Sequence, residues 1–340
     1  MAESSLNLSF YGNGVTITSR EKGTLEAIEH DFSYFSSPAD KCRLLIECRR
    51  EKPDYENLPM LLATSATPRN ICFKGEREAY IDYFGKALNI YSKEKSSCQI
   101  IAEDVDMIRT IAYLTILSRI SEMLDKQGIH RIHALGLEHK GRGILVILPV
   151  GGGKTTLAMS ILADRDNDIR LISEDSPLIR RDGTLLPFPL SIAVLAQNLP
   201  DGIDEKYARR DKRLESESKI RIDVRYFADR IVKEAVPPGF VLLGRRSTGD
   251  VAEISRAPRS AVIKHSLMNS IIGVGLYQGM EFIMQKNAVE VAGQGRILLS
   301  RLYNNARLFR KSQIFFFTMG RNTAKNYQVL RDFLTGKVSV

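Results

Sequence analysis

The alternation of apolar and polar positions over the first hundred residues predicts a small α+β unit. Residues 8–11 and 15–18 read as short strands around Gly12-Asn13-Gly14, which is typical of a β-hairpin with Asn-Gly at its centre. Apolar residues then recur at helical spacing over residues 25–35. Further short apolar runs predict strands at residues 42–48, 71–73, 79–83 and 88–91. This unit contains no recognisable chemistry.

A longer amphipathic pattern over residues 105–124 predicts a helix that leads into a larger domain. Apolar runs of strand length follow at residues 144–148, 169–173 and 314–319, and residues 324–334 form an amphipathic helix pattern. Strands that alternate with helices in this way are typical of an α/β fold. We therefore predict an α+β N-terminal domain over residues 1–104, followed by an α/β domain over residues 105–340.

A glycine-rich segment, Gly151-Gly152-Gly153-Lys154-Thr155-Thr156, lies between the strand at residues 144–148 and the next helical pattern. Consecutive glycines let backbone N–H groups approach phosphate oxygens, with the positive end of the following helix behind them. In a P-loop the lysine reaches the β- and γ-phosphates and the following Thr hydroxyl binds Mg²⁺. The full pattern requires a glycine where Leu148 stands. The segment nevertheless predicts ATP and Mg²⁺ as ligands; the alternative is a glycine-rich turn with an incidental lysine.

Two acidic residues, Glu174 and Asp175, end the strand at residues 169–173, about twenty residues after Lys154. Ligands of open α/β sheets collect at the carboxyl ends of strands, so both side chains are expected near the glycine segment. An isolated Glu-Asp pair would be better interpreted as an acidic turn, but this spacing favours a site. We predict that Thr155, Glu174 and Asp175 bind Mg²⁺ and that Asp175 accepts the proton of an attacking hydroxyl.

At these residues the chain resembles the superfamily of HPr kinase/phosphorylase and ATP-dependent phosphoenolpyruvate carboxykinase. The loop is similar to the carboxykinase pattern G-x-x-G-x-G-K-T-T-L. The separation between His133 and Lys154 is similar to that of the HPr kinase branch, in which a histidine precedes two strands, the loop and a strand ending in two acids. Leu148 and Glu174 depart from the family pattern, in which a glycine and an aspartate are usual.

The resemblance implies an ATP-dependent kinase that transfers the γ-phosphoryl group to a hydroxyl, with His133 orienting an acid or a phosphate. The phosphorylase signature of bifunctional HPr kinases is not recognisable, so reverse phosphorolysis is not predicted. For the N-terminal unit the resemblance implies a role in recognition or in contact between copies of the chain, as in a homo-oligomer. We prefer a serine of a peptide or small protein as the acceptor. The alternatives are a small-metabolite kinase and a nucleotide-binding assembly protein without turnover. A carboxykinase activity would require basic residues for its substrate, which we cannot assign.

Several basic residues offer further candidates. An arginine that stabilises charge on the transferred group must lie near the strand ends, and Arg245 or Arg246, after the apolar run at residues 240–243, fits this requirement. We take Arg245 as the first choice. The basic run at residues 209–213 is interpreted as a solvated loop, with a clamp for an acidic acceptor as the alternative. His265 is interpreted as a polar contact on a helix.

Composition restricts the class of protein. Of the 340 residues, 44% are hydrophobic, which suffices for extensive cores, and the formal net charge is +9. ATP and a phosphorylated product account for part of that charge; nucleic acid is not the expected partner, because the chain has no Trp and its basic residues are dispersed. The four cysteines lack metal-binding spacing and are expected to be reduced. Without a recognisable signal peptide or membrane span, we expect a cytoplasmic protein.

Overall fold

The computed structural model describes residues 3–38, 41–149, 151–200, 202–211, 219–262 and 288–337. These residues form two compact units. The first holds residues 3–123 together with residues 210–211, and the second holds the remaining described residues. Strands and helices occur in both units, so the chain belongs to the mixed α/β class. The predicted domain boundary at residue 104 lies just before a long helix, whereas the structure divides within that helix.

The first unit is an eight-stranded sheet with two helices. Its strands, in chain order, are β1 (Ser4–Phe10), β2 (Asn13–Ser19), β3 (Cys42–Arg50), β4 (Ala63–Ala66), β5 (Ile71–Lys74), β6 (Glu78–Asp82), β7 (Ala87–Ser92) and β8 (Ser97–Ala102). They are arranged in the order β1-β2-β3-β8-β7-β6-β5-β4. β3 pairs in parallel with both β2 and β8, and the other neighbours are antiparallel. The helices are α1 (Lys22–Phe32) and α2 (Val105–Lys126).

Burial of one face of each helix joins these elements. Phe32 of α1 lies against Phe10 of β1 with ring centroids 5.9 Å apart, and against Tyr113 of α2 at 5.3 Å. Beside these rings, Arg109 of α2 forms a fully buried ion pair with Asp31 at 2.7 Å. The predicted helix over residues 105–124 is confirmed, and its buried positions include Ile108, Ile111, Leu117 and Ile120.

The β1–β2 hairpin is confirmed, but its turn is not the predicted Asn-Gly pair. Phe10 pairs with Asn13, so the two turn residues are Tyr11 and Gly12, with φ angles of 52° and 81°. Two consecutive positive φ angles are characteristic of a type I′ turn. Asn13 is fully buried, and its Nδ2 donates to the carbonyl of Phe10 at 3.0 Å. The amide side chain therefore supports the turn from the first position of β2.

The second unit contains twelve strands and three helices among the described residues. Its strands are β9 (His130–Arg131), β10 (Leu135–His139), β11 (Arg142–Ile147), β12 (Arg170–Ser173), β13 (Leu178–Ile179), β14 (Leu185–Leu186), β15 (Ile192–Leu195), β16 (Ala208–Asp211), β17 (Lys219–Ile222), β18 (Pro238–Arg246), β19 (Glu253–Arg256) and β20 (Gln313–Met319). Its helices are α3 (Lys154–Ala163), α4 (Ala288–Lys311) and α5 (Thr323–Leu334). The main sheet has the order β12-β10-β11-β18-β20-β19, beside two three-stranded sheets, β14-β13-β9 and β15-β17-β16.

The central strands of the main sheet are covered on both faces, as their continuous apolar sequences require. On one face, Val241 and Leu243 of β18 belong to a buried cluster with Leu308 and Phe309 of α4. On the other face, Phe240 of β18 packs with Phe315 of β20 and Phe333 of α5. Because side chains alternate along a strand, even-numbered residues of β18 face α5 and odd-numbered residues face α4.

No helix in the part of the chain that the structure describes is long and apolar enough to span a membrane. All four cysteines are free; Cys48, Cys72 and Cys98 are buried and Cys42 is exposed. Burial raises the pKa of the Cys48 thiol to about 12, which keeps it protonated at neutral pH.

Candidate functional site

A tight glycine turn connects β11 to α3. We call Gly151–Gly153 the glycine loop. Gly151 and Gly153 have positive φ angles of 70° and 96°. Gly152 has no room for a side chain, since a Cβ there would lie 2.7 Å from the Pro149 carbonyl oxygen. Gly153 is the N-cap of α3 and has no side chain to accept from the first N–H groups of the helix. These groups have no acceptor within the helix, so the loop suits an anion.

The end of the Leu148 side chain, at the position where the P-loop pattern has its first glycine, is directed towards β18. Its side chain is fully buried and packs on Gly244 of β18, where an added Cβ would lie 2.1 Å from a Leu148 methyl carbon. The glycine at position 244 thus provides the space that Leu148 fills. The carbonyl oxygen of Leu148 accepts a hydrogen bond from Lys154 Nζ at 3.4 Å. Leu148 therefore supports the lysine through its backbone.

Lys154, His133 and Asp175 form a connected cluster at the start of α3. Lys154 Nζ lies 2.9 Å from His133 Nε2, and His133 Nδ1 lies 3.0 Å from Asp175 Oδ1. Lys154 Nζ is 3.9 Å from the same carboxylate oxygen. The ammonium group has only protons to donate, so Nε2 is the acceptor and Nδ1–H donates to Asp175. His133 therefore fixes the distance between a cation and a carboxylate.

Backbone pairing brings the histidine to the acid. Ala134 N donates to the carbonyl of Asp175 at 3.1 Å, and Ile132 N donates to that of Pro177 at 3.0 Å. The segment around His133 therefore runs beside the residues that follow β12. This long-range pairing, which joins residues some forty positions apart in the sequence, brings the His133 ring within 3.0 Å of the Asp175 carboxylate.

The protonation equilibria of the cluster are shifted from their ordinary values. Burial lowers the pKa of Lys154, against the opposing charges of Asp175 and Glu174. Burial also acts to raise the pKa of Asp175, but the hydrogen bond from His133, with the charges of Lys154 and Arg131, outweighs it and holds that pKa below the usual range. Burial raises the pKa of Glu174, and the neighbouring charge of Asp175 adds to this effect. The two consecutive acids are therefore electrostatically different.

Glu174 faces the first turn of α3 and has a different partner. The Thr155 hydroxyl donates a hydrogen bond to Glu174 Oε1. A hydroxyl and a carboxylate oxygen are hard ligands of the kind that Mg²⁺ prefers, and such sites use one or two carboxylates together with phosphate oxygens and water. The described residues contain no group of three or more His, Cys, Asp or Glu side chains that could hold a metal ion by itself. Thr155 and Glu174 thus fit a metal that is shared with a phosphate.

Two residues that the sequence analysis missed complete the surroundings of Asp175. Arg131, which is 4% exposed, donates from Nη2 to Ser176 Oγ at 2.8 Å. Ser176 Oγ in turn donates to Asp175 Oδ2 at 3.3 Å. Each oxygen of the Asp175 carboxylate therefore has its own partner, His133 on one and Ser176 on the other. The only sequence signals are the placement of Arg131 two residues before His133 and of Ser176 directly after Asp175.

The two arginines at the end of β18 point to opposite faces of the sheet. Arg245 lies over the ring of Phe316, with its Cζ 3.3 Å from the ring centroid, on the face covered by α4. Arg246 Nη1 donates to the Gly320 carbonyl at 3.2 Å and lies 3.9 Å from the position of a Cβ built on Gly153. The structure therefore brings Arg246, and not Arg245, to the glycine loop. The alternation of side chains along the strand is the physical reason.

The remaining predicted residues lie as follows. Thr156, in the first turn of α3, is half-buried, and its carbonyl accepts from Ser160 Oγ at 3.0 Å. Of the basic run, residues 209–211 lie in β16, and residues 212–213 lie outside the described residues, as does His265.

Comparison of the chain with models of known protein families finds no match. Comparison with curated proteins finds no significant match either. The site must therefore be interpreted from its own chemistry.

Proposed function

We propose that this chain is an ATP-dependent kinase, similar to HPr kinases, that transfers the γ-phosphoryl group to a serine hydroxyl of a peptide or small protein. The observation that carries the proposal is the convergence of Lys154, His133 and Asp175 beside a glycine loop at the start of a helix. Phosphoryl transfer needs a phosphate cradle, a cation at the transferred group and a proton acceptor. Each of these has a candidate within this small volume.

Each residue has a distinct role in the proposed reaction. The N–H groups of the glycine loop and of the first turn of α3 bind phosphate oxygens, and Lys154 provides a positive charge at the transferred group. Asp175, held between His133 and Ser176, accepts the proton of the attacking hydroxyl. Arg246, which lies beside Gly153, replaces our first choice, Arg245, as the arginine that stabilises charge on that group.

Thr155 and Glu174 are the residues that would hold Mg²⁺, together with phosphate oxygens. When bound there, the ion would neutralise part of the charge on the phosphates. The hydrogen bond between Thr155 and Glu174 supports this assignment, because it shows that the two oxygen ligands converge. Burial of Glu174 also makes a bound cation favourable, since its carboxylate is costly to keep charged without one.

The test of the proposal is phosphate transfer from γ-labelled ATP with Mg²⁺ to peptides that contain serine, with the modified residue identified by mass spectrometry. Lys154→Met keeps the buried aliphatic stem and removes the charge, so we expect transfer to be lost. Lys206→Met is the matched control, because the Lys206 side chain is 65% exposed and pairs with Asp204, whose side chain is 51% exposed. Equal activity of the Lys154→Met variant and the wild type would exclude the proposed mechanism.

The same experiment separates the alternatives. Transfer to a small hydroxyl compound but not to peptides would indicate a metabolite kinase. Nucleotide binding that depends on Lys154, without transfer to any acceptor or to water, would instead favour a nucleotide-binding assembly protein.

A further inference from the structure

A second group of polar side chains lies in the second unit, apart from the residues used in the proposed kinase site. His130, the first residue of β9, is almost completely buried, with 2% of its side chain exposed. Its Nε2 lies 2.8 Å from Ser300 Oγ of α4, and its Nδ1 lies 2.7 Å from Asp125 Oδ1 in the last turn of α2. The three residues come from three separate elements, and Ser300 is 170 positions from the histidine.

The hydrogen bonds of this group allow one arrangement of protons that suits a nucleophile. Asp125 accepts from His130 Nδ1–H, which leaves Nε2 unprotonated and able to accept the proton of the Ser300 hydroxyl. The second oxygen of Asp125 accepts from Arg301 Nη2 at 2.7 Å, and this contact fixes the orientation of the carboxylate. A hydroxyl within hydrogen-bonding distance of an imidazole that is oriented by a carboxylate is the signature of an activated serine.

Ser300 is partly exposed, whereas the imidazole of His130 is shielded. Ser300 is half-buried, and a Cβ built on the nearby Gly128 would lie 3.8 Å from its Oγ, so the glycine leaves space beside the hydroxyl. Asn304, one turn further along α4, holds this wall in place by donating to the Gly128 carbonyl at 2.9 Å. On the other side of Ser300, Leu299 is 68% and Tyr303 is 43% exposed. The guanidinium groups of Arg181 and Arg307 lie over the Tyr303 ring, so Leu299 provides the apolar surface next to Ser300 that suits an apolar acyl group.

We propose that Ser300, His130 and Asp125 form a second reactive site, at which Ser300 attacks carboxylic esters with an apolar acyl group. Ser300 Oγ bonds to the ester carbonyl carbon, and its proton passes to His130 Nε2. His130 then protonates the departing alcohol oxygen as the C–O bond breaks. Water attacks the acyl-serine, its proton passes through His130 back to Ser300 Oγ, and the products are a carboxylic acid and an alcohol. This inference does not depend on the proposed kinase function.

A fluorophosphonate probe tests the reactivity of Ser300 directly. In that reaction Ser300 Oγ bonds to phosphorus, fluoride leaves, and the hydroxyl proton passes to His130 Nε2. We expect stoichiometric labelling that maps to Ser300 by mass spectrometry and is lost in Ser300→Ala. Ser160 is the internal control, because it is a half-buried helical serine whose hydroxyl donates to the Thr156 carbonyl at 3.0 Å and has no imidazole partner among the described residues. Labelling should remain unchanged in Ser160→Ala.

The role of the carboxylate is tested by Asp125→Asn, which keeps the shape of the side chain but replaces one carboxylate oxygen by an NH2 group. Since Arg301 can pair only with the remaining oxygen, the NH2 group faces His130 Nδ1 and cannot accept its proton. We expect the labelling rate to fall about tenfold or more, together with the hydrolysis of p-nitrophenyl butyrate. An unlabelled wild-type Ser300, labelling of Ser160 to the same extent, or an undiminished rate in Asp125→Asn would each overturn the proposal. The three side chains would then serve only to join α4 to the end of α2. If a variant fails to fold, mapping of the probe on the wild-type chain still decides between the two interpretations.

Discussion

Glu174 and Asp175 are consecutive residues at the end of β12, yet their side chains have different partners. Asp175 contacts His133 and Ser176, whereas Glu174 accepts from Thr155. β12 ends at Ser173 and the chain bends at the two acids, and in this bend their side chains reach different partners. The identity of the partner, and not the residue type alone, therefore assigns the base to Asp175 and a metal contact to Glu174 in the proposed kinase.

The first prediction separates these two acids. Asp175→Asn should retain nucleotide binding while phosphate transfer falls by about 10²–10⁴-fold, because a general base is removed without a change of shape. Glu174→Gln should instead require more Mg²⁺ and recover part of its activity at high Mg²⁺ concentration. Both are measured as kcat and KM over a Mg²⁺ titration. Indistinguishable defects would show that the acids act as one metal site, and His133 would become the next residue to test as the base.

The second prediction concerns the positioning of Asp175. Ser176→Ala removes the hydrogen bond to Asp175 Oδ2 and leaves the Arg131 guanidinium without this acceptor, so we expect kcat to fall about tenfold with little change in the KM for ATP, since a hydrogen bond to a charged group contributes about 1.5–3 kcal/mol. Ser191→Ala is the matched control, because Ser191 also accepts from a buried arginine, Arg221, at 3.0 Å. Equal effects of the two substitutions would indicate a general loss of stability instead of a role at Asp175.

Sequence reasoning could identify the residues whose signal is local and missed those whose signal depends on pairing. Lys154 and Thr155 follow directly from the glycine segment, and the spacing to His133 came from a family resemblance. The contribution of Arg131 arises only when its segment pairs with residues 175–177, which no local pattern encodes. Similarly, Arg245 and Arg246 are adjacent residues of the same type, and only the strand register determines which of them faces the glycine loop.

At the scale of elements, the geometry of the glycine loop depends on different properties of its glycines. Gly152 is required by lack of space, because a Cβ would lie 2.7 Å from Pro149 O and 3.0 Å from Leu148 Cβ. Gly151 is required by its backbone angle, since φ is +70° although no other atom lies within 4 Å of an added Cβ. Steric exclusion by backbone cannot be relieved by a rotamer change, whereas a left-handed residue costs about 1–2 kcal/mol.

The third prediction follows from this difference. Gly152→Ala should displace the loop, lower the melting temperature and strongly weaken ATP binding, as measured by calorimetry. Gly151→Ala should weaken binding less, because its backbone can keep the same path at a cost of about 1–2 kcal/mol. Comparable losses of affinity in the two variants would contradict the view that the path of the loop through Gly152 sets the phosphate site.

Elements were predictable from sequence where a single periodicity persists, as in α2 and the apolar strand β11. The residues of α4 carried no prediction of a helix, although they form 24 helical residues in the structure. Gly293 and Gly295 lie near its start and lower its intrinsic helix propensity, and its stability comes from burial of Leu308 and Phe309 against the main sheet. Similarly, the turn lies at Tyr11-Gly12 and not at Asn13-Gly14, although Asn-Gly is the stronger turn signal. Asn13 is instead buried in the first position of β2, where its side chain donates to the Phe10 carbonyl.

For the molecule as a whole, stability depends on contacts between elements that are distant in the sequence. Asp164 ends α3 and accepts hydrogen bonds from Tyr327 and, at 3.0 Å, from Arg331 Nη1, both on α5. The hydrogen bond from Tyr327, with the N–H of Asp166 and the charge of Arg331, holds the pKa of Asp164 below its usual range against the opposing effect of burial. Asp164 therefore links the helix of the glycine loop to the C-terminal helix through its charged form.

The fourth prediction is an acid-dependent loss of this link. Because the pKa of Asp164 is lower in the folded than in the unfolded state, its contribution to stability is complete above the unfolded pKa of about 3.9 and is lost as the pH falls through the folded value. Asp164→Asn should therefore lower the free energy of unfolding at neutral pH by on the order of 1–3 kcal/mol, and the difference from the wild type should shrink below about pH 4. Urea unfolding at several pH values measures both effects.

Asp229→Asn is the matched control, because Asp229 forms a pair with Arg165 in which both side chains are more than half exposed, and such pairs contribute about 0–1 kcal/mol. A difference between Asp164→Asn and the wild type that stays constant from neutral to acidic pH would show that the side chain acts through its shape and not through its charge.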